Sequence, residues 1–195
     1  MKSIAVYLGS APACKEIYKE LAYQLGRRLA ESGFRLIYGG AAVGTMGTLA
    51  DGALEAGGEV VGVFPRGFCG TQEVRESGVE VVRKGLTEFI ETADFAERKR
   101  VMEDLSDACI IMPGSFGTLD ELFTYACNRA IGKHKKPIYL LNHEGYYNPL
   151  KQLLGNMQAA GFHKPVMTGA LTFCDTLEDL MTFLLPAHLR APVSV

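Results

Sequence analysis

The sequence predicts an α/β domain whose mostly parallel sheet carries helices on both faces. Short apolar runs alternate with amphipathic helical stretches along the chain, the order that builds a parallel sheet with covered faces. Runs such as Ala108-Cys109-Ile110-Ile111-Met112 are apolar at every position, not at alternate ones, so both of their sides are expected to be buried. Two of the runs pass through glycine loops directly into helical patterns, as strand-to-helix turns in such sheets do.

Ile4 to Leu8 reads as the first strand and Gly9-Ser10-Ala11-Pro12 as the loop at its carboxyl end. Lys15 to Glu31 places Tyr18, Leu21, Ala22, Leu25 and Leu29 at helical spacing, with Gly33 as a stop. Arg35 to Tyr38 is the second strand, followed by a glycine loop and a helix to about Ala56. Val60 to Phe64 is the third strand, and Pro65 to Arg83 shows no period. Thr87 to Glu91 fits a short strand before a helix over 93–105. Beyond the 108–112 strand a helix is expected to about Ile131, then a strand from Pro137 to Leu141 and a helix from Tyr147 to Ala160. Leu171 to Cys174 fits a short strand or extended segment, and Leu177 to Leu185 the last helix. No repeat or linker divides this order, so residues 1–186 are expected to form one domain and 187–195 a loose tail.

Composition narrows the partners. With 195 residues, 48% apolar and 22% charged, the chain has the profile of one ordinary globular domain. A net charge of −2 gives no electrostatic case for nucleic acid. The densest basic run, Lys133-His134-Lys135-Lys136, lies between a helix and a strand and is expected to be a solvated loop. Five cysteines, at 14, 69, 109, 127 and 174, form no C-x-x-C pair, which argues against a disulfide framework or a zinc site. Cys109 is expected to act as a small core residue. His134, His143, His163 and His188 show no metal-ligand spacing and are expected on the surface or in loops. No metal, cofactor or membrane partner is therefore expected. No apolar stretch approaches the roughly 18 residues of a membrane helix, and Met1-Lys2-Ser3-Ile4 enters a strand at once, so a cytoplasmic protein is expected.

The chemistry-bearing residues fall in three segments. Met112-Pro113-Gly114-Ser115-Phe116-Gly117-Thr118-Leu119-Asp120-Glu121 is a glycine loop between a strand and a helix. The glycines allow a tight turn and close approach of a ligand to the backbone, and the helix start offers unpaired N–H groups to a phosphate. Glu121, three residues after Thr118, places a carboxylate beside such a ligand. The same residues also fit a capping box, with Thr118 at the N-cap and Glu121 reaching back to its N–H. A second loop, Tyr38-Gly39-Gly40-Ala41-Ala42-Val43-Gly44-Thr45-Met46-Gly47, follows the second strand. The third segment, Phe95-Ala96-Glu97-Arg98-Lys99-Arg100, opens the helix before the 108–112 strand and, taken alone, reads as a solvated face. Because ligands sit beyond the carboxyl ends of parallel strands, the Gly9-Ser10 loop, both glycine loops and the Pro65 segment are expected to converge on one cleft.

Together, YGGAAVGTMG, ERK and PGSFGTLDE closely resemble the YGGGxxGLMG, ERK and PGGxGTxxE motifs of the Lonely Guy family. The likeness runs from Gly9-Ser10 to Gly145-Tyr146-Tyr147 and Gly161-Phe162. Members of that family are cytokinin riboside 5′-monophosphate phosphoribohydrolases, often mislabelled lysine decarboxylases. The resemblance implies a Rossmann-like domain, cytokinin biosynthesis, and hydrolysis of the N-glycosidic bond of a nucleoside 5′-monophosphate, either AMP or a cytokinin riboside 5′-monophosphate. It further implies Arg98 and Glu121 as the catalytic pair and Lys99 and Glu80 as substrate contacts. Ser10, Gly39, Gly40, Gly44 and Thr45 of the first loops would join the nucleotide site. Gly114, Ser115, Phe116, Gly117, Thr118, Leu119 and Asp120 would form its phosphate end. A homodimer or larger homo-oligomer is also implied, and the apolar width of the 119–131 helix with Val101, Met102 and Leu105 gives a motive for it. Related molybdenum cofactor carriers supply an alternative, a binding protein using the same cleft for a nucleotide or a pterin cofactor; such a binder has no need of Arg98 and Glu121 together. The label of decarboxylase would require a lysine bonded to pyridoxal phosphate, and no motif designates one. Three departures stand out: Ser115 and Ala41 replace glycines of the family's loops, and Cys127-Asn128-Arg129-Ala130 replaces Thr-Trp-Ala-Gln.

Overall fold

The computed structural model describes residues 2–68, 81–162 and 169–185. Seven strands form one sheet: β1 (Ser3–Tyr7), β2 (Arg35–Tyr38), β3 (Val60–Pro65), β4 (Glu88–Thr92), β5 (Ala108–Ile111), β6 (Ile138–Leu141) and β7 (Leu171–Cys174). Their order is β4-β3-β2-β1-β5-β6-β7, and every pairing is parallel. Six α-helices occur among the described residues: α1 (Glu16–Glu31), α2 (Gly44–Glu55), α3 (Phe95–Leu105), α4 (Phe116–Ala130), α5 (Asn148–Ala159) and α6 (Leu177–Leu184), the last following β7.

Strand residues alternate between two cores, as the two-residue period of a strand requires. Ile4, Val6, Leu36, Tyr38 and Ile110 pack with Leu25, Leu29, Leu49 and Leu180 of α1, α2 and α6. Ala5, Tyr7, Ile37, Cys109 and Ile111 pack with Met102, Leu122 and Tyr125 of α3 and α4, and with Leu150 of α5. The sheet is thus covered on both faces, and the edge strand β4 is the one that stays half exposed. Helices α1 and α2 meet closely because Gly26 faces the Leu49 carbonyl, where a Cβ would stand 2.1 Å away.

The chain leaves β1 toward β2 on one side and returns to β5 on the other. At this reversal the connecting loops diverge and leave a crevice at the strand carboxyl ends.

Several expectations need correction. Helix α4 begins at Phe116 with Ser115 at its N-cap, not at Thr118. A 3-10 turn, His143–Gly145, precedes α5. His134 lies in a loop, as expected, but its side chain is not exposed: its ring meets Tyr125 edge-on at 4.6 Å between centroids, and it is buried beside Glu103. Lys136 is likewise tied down, its ammonium donating to the Glu103 carbonyl. The 133–136 run is therefore not simply solvated; Lys133 and Lys135 face water while His134 and Lys136 turn toward α3 and α4. Cys109 is fully buried, as expected of a small core residue. Cys69, His163, His188 and the 187–195 tail lie outside the described residues.

Candidate active site

Helix α3 opens with a cap: the Asp94 carboxylate accepts from Glu97 N at 2.7 Å, and Glu97 accepts from Ala93 N at 2.5 Å. This satisfies two otherwise open N–H groups and fixes the rotation of the helix. Arg98 then faces the sheet together with Met102, one turn later. The charged run Glu97 to Lys99 is thus not a uniform solvated face: Glu97 caps, Arg98 turns in, and Lys99 turns out.

Arg98 is 7% exposed, as is Glu121. Its Nε donates to the Val63 carbonyl at 3.0 Å, and its Nη1 donates to Glu121 Oε1 at 3.1 Å. Gly39 makes room for it, since a Cβ there would stand 1.8 Å from Arg98 Nη2. Burial raises the Glu121 carboxyl to about 7, more than the neighbouring Arg98 lowers it; Asp120 pushes in the same direction as burial, and Lys99 opposes it. A buried carboxylate with its cation beside it is thus poised to change protonation near neutral pH.

With α4 starting at Phe116, Glu121 lies in its second turn and the predicted capping box does not form. Ser115 makes no side-chain cap bond, so the first-turn N–H groups are open to a ligand. Ser115 has φ −100°, an ordinary conformation, so the family's glycine is not required there. Gly114 is required by close approach: a Cβ would stand 2.1 Å from Thr118 Oγ1.

The first glycine loop is held at both ends. Gly44, at φ 57°, lies against the Ser10 backbone, and Thr45 Oγ1 donates to the Gly9 carbonyl at 2.5 Å. Ala41 pairs with Val82 in an isolated antiparallel bridge and has no positive φ, so it fits without strain.

These loops enclose a cleft of about 180 Å³. Of the residues expected at the site, Ser10, Gly39, Arg98, Ser115, Gly117, Thr118 and Glu121 line it. Gly40, Gly44, Thr45 and Gly114 shape the loops behind its surface. Lys99 does not enter it; its ammonium donates to both Asp120 oxygens, at 2.9 and 2.7 Å, and to Thr124 Oγ1. Leu119 packs against the core on the inner side of α4, Asp120 lies exposed on its outer side, and Phe116 stands in solvent at 88% exposure. Glu80 lies outside the described residues. Of Cys127 to Ala130, none lines the cleft; Cys127, Arg129 and Ala130 border a separate hollow of about 420 Å³ with His134, Leu154 and Phe162.

The apolar wall was not singled out from the sequence. Phe64, Phe68 and Phe95 line it with Val43 and Met46, the Phe68 and Phe95 rings meeting edge-on at 5.1 Å. Phe64-Pro65 at a strand carboxyl end was the available signal. No group of His, Cys, Asp and Glu suited to a metal occurs among the described residues, and no helix among them is long and apolar enough to cross a membrane.

A family model described as "Possible lysine decarboxylase" matches residues 46–184. A cytokinin riboside 5′-monophosphate phosphoribohydrolase of Rhodococcoides fascians is 40% identical over 191 residues, 98% of this chain and 90% of that protein. The enzyme of the same name from Mycobacterium tuberculosis is 34% identical, covering 95% of this chain and 94% of that one. Among solved structures, the molybdenum cofactor carrier protein of Chlamydomonas reinhardtii shares the fold with TM-score 0.67 at 20% identity, over 94% of this chain and 95% of that one. A pyridoxal-dependent decarboxylase needs a lysine at its site to bond the cofactor, and no described residue lining this cleft is a lysine. By the extent of the family match and the near full-length relatives, the chain belongs to the Lonely Guy family, the one its family model calls possible lysine decarboxylases.

Proposed function

We propose that the protein hydrolyses the N-glycosidic bond of a nucleoside 5′-monophosphate, with water as co-substrate and free base and ribose 5-phosphate as products. The observation that carries this reading is the buried Arg98–Glu121 pair on the wall of a cleft that also holds the open start of α4. As the base leaves, positive charge builds on the ribose. A carboxylate in a water-poor cleft stabilises that charge far better than one in bulk water. Glu121 also orients and deprotonates the attacking water. Arg98 keeps part of the Glu121 population ionised and holds its carboxylate in place. The α4 N-terminus receives the 5′-phosphate through the N–H groups of its first turn, and the phenylalanine wall receives the base.

The names of the relatives support cytokinin riboside 5′-monophosphate as the substrate, and the apolar wall suits a base with an apolar substituent. A carrier function has weaker support: the carrier proteins share the fold at 20–22% identity, and a carrier has no use for a carboxylate raised to about 7.

Assembly as a homodimer is part of the same proposal. Tyr125 and Met102 are buried within the subunit, so less of the apolar width of α3 and α4 is free than the sequence suggests. Phe123 remains exposed on α4 and Ile131 at its C-cap, as do Leu153 on α5 and Phe162 beyond it. They border the 420 Å³ hollow or lie on the helices that form it, a patch suited to a second copy. Light scattering at micromolar concentration checks it, and an active species of about 21 kDa rules it out.

The test of the activity is incubation with a panel of nucleoside monophosphates and their nucleosides, measuring free base and ribose 5-phosphate. AMP or its N6-alkylated forms should be cleaved and the matching nucleosides left intact, because the phosphate supplies the anchoring energy. Equal turnover of nucleoside and nucleotide would remove the phosphate role assigned to α4.

A further inference from the structure

The loop that feeds α4 is held from outside the cleft by two consecutive tyrosines. Tyr147 Oη donates to the Met112 carbonyl at 2.6 Å, and Tyr146 Oη donates to the Gly114 carbonyl at 2.7 Å. These two carbonyls flank Pro113, in the segment that carries the chain from β5 into α4. The two tyrosines differ in one respect that separates packing from positioning. Tyr147 is 2% exposed and part of the core, whereas Tyr146 is 41% exposed. A ring that open is not part of the core, yet it is fixed on three sides. Tyr18 meets it edge-on at 5.8 Å, Tyr147 does so at 5.1 Å, and its hydroxyl is bonded to Gly114.

The turn that presents it is itself constrained. Glu144 has φ 51° and is the one non-glycine residue with positive φ among the described residues, with Gly145 following at φ 72°. An L-residue there persists only where its surroundings hold it. Asn142 supplies that hold: its Oδ1 accepts from Tyr147 N at 2.7 Å, and its Nδ2 donates to Asp175 at 2.7 Å and to Asn148 at 3.1 Å.

We infer that Tyr146 is a positioning residue for the phosphate end of the cleft, acting through the Gly114–Ser115 peptide. In a trans peptide the C=O and N–H point in opposite directions, and no cis bond occurs among the described residues. A Gly114 carbonyl held toward Tyr146 therefore turns the Ser115 N–H the other way, and Ser115 lines the cleft. The hydroxyl of Tyr146 thus sets the direction of the first N–H that an incoming phosphate meets. Its removal frees that peptide to rotate, so the phosphate meets a loop that it must order itself. The inference rests on the assignment of the phosphate to the α4 N-terminus made above.

The experiment compares Tyr146→Phe with wild type in three measurements: thermal melting, kinetics on AMP, and calorimetric binding of ribose 5-phosphate and of adenine. The variant keeps the ring and its two aromatic contacts and loses only the hydroxyl. KM for AMP and Kd for ribose 5-phosphate should each rise about fivefold, the effect of one hydrogen bond, with kcat within about twofold and adenine affinity unchanged. The melting temperature should move by no more than about 3 °C, the shift expected when about 1 kcal/mol is lost from a domain of this size. Unchanged affinity for ribose 5-phosphate in a variant of active protein overturns the inference and leaves the proposed activity standing. A proportional loss of adenine affinity or a collapse in melting temperature also overturns it, because a structural role then accounts for the effect. If wild type neither binds ribose 5-phosphate nor cleaves any nucleotide, the proposed function fails and takes the inference with it.

Discussion

Replacing Arg98 by methionine tests the electrostatics of the site more directly than removing the carboxylate. In wild type, burial raises the Glu121 carboxyl to about 7, and the Arg98 charge is the main influence holding it down. The pair is 3.1 Å apart. At an effective dielectric of about 20, two unit charges at that distance attract by roughly 5 kcal/mol, equivalent to about 4 pKa units as an upper figure. Water reaching the cleft and the remaining Lys99 charge reduce it, so removing the guanidinium should raise the Glu121 carboxyl by less than that figure. Methionine fills much of the same space and leaves the Val63 carbonyl without its donor. Glu121 should then be protonated at pH 7.5, where in wild type it is mostly ionised. Two measurements read this: the acid limb of kcat/KM for base release, and the carboxyl carbon resonance of labelled glutamate followed through a titration. Wild type should titrate near 7, and Arg98→Met should move the midpoint clearly upward on the same reasoning. A variant titrating at the wild-type midpoint would refute the argument, since it would mean that the two side chains do not interact in solution.

Glu121→Gln keeps the shape of the site and removes its charge, so base release should fall by about 10²–10³-fold while nucleotide binding, measured calorimetrically, stays close to wild type. The same carboxyl makes stability depend on pH. Its folded value, about 7, lies above the unfolded one, so the folded state binds more protons between them. Stability is greatest below the unfolded value and is lost as pH rises to about 7, by up to about 3 kcal/mol from this group. Denaturant titrations at pH 5 and 8 should show that decline, and Glu121→Gln should flatten it. Gly44→Ala should lower the melting temperature by several degrees: the residue has φ 57° and its Cβ would stand 2.6 Å from the Ser10 backbone, while a left-handed conformation alone costs an alanine roughly 1–2 kcal/mol. An unchanged melting temperature would show that the 9–10 loop does not pack on Gly44.

The sequence by itself determined the layered α/β class, most of the strands and helices, and the three segments at which chemistry is expected. Those properties are local. A run such as Ala108 to Ile111, apolar at every position, states that both its sides are buried, and Leu21, Leu25 and Leu29 state which side of α1 faces inward. Motifs added what no periodicity carries: the pairing of Arg98 with Glu121 across 23 residues was available only through the resemblance, and the structure places the two in contact.

Tertiary structure decided the rest, because those outcomes depend on neighbours remote in sequence. The T-x-x-E pattern at Thr118 satisfies a capping box on paper, yet the loop docked beneath Tyr146 and Tyr147 starts the helix at Phe116, leaving Glu121 free for the cleft. Arg98 and Lys99 are adjacent basic residues of one motif, and helix rotation alone sends the first to Glu121 and the second to Asp120. The glycine at 39 is legible as a turn residue, but its closeness to the Arg98 guanidinium is a fact of packing. The phenylalanine wall comes from two separate stretches, Phe64 in β3 with Phe68 just after it and Phe95 on α3. Only the folding of the chain over the sheet makes one surface of them, since burial of aromatic rings is set by what covers them and not by their spacing along the chain.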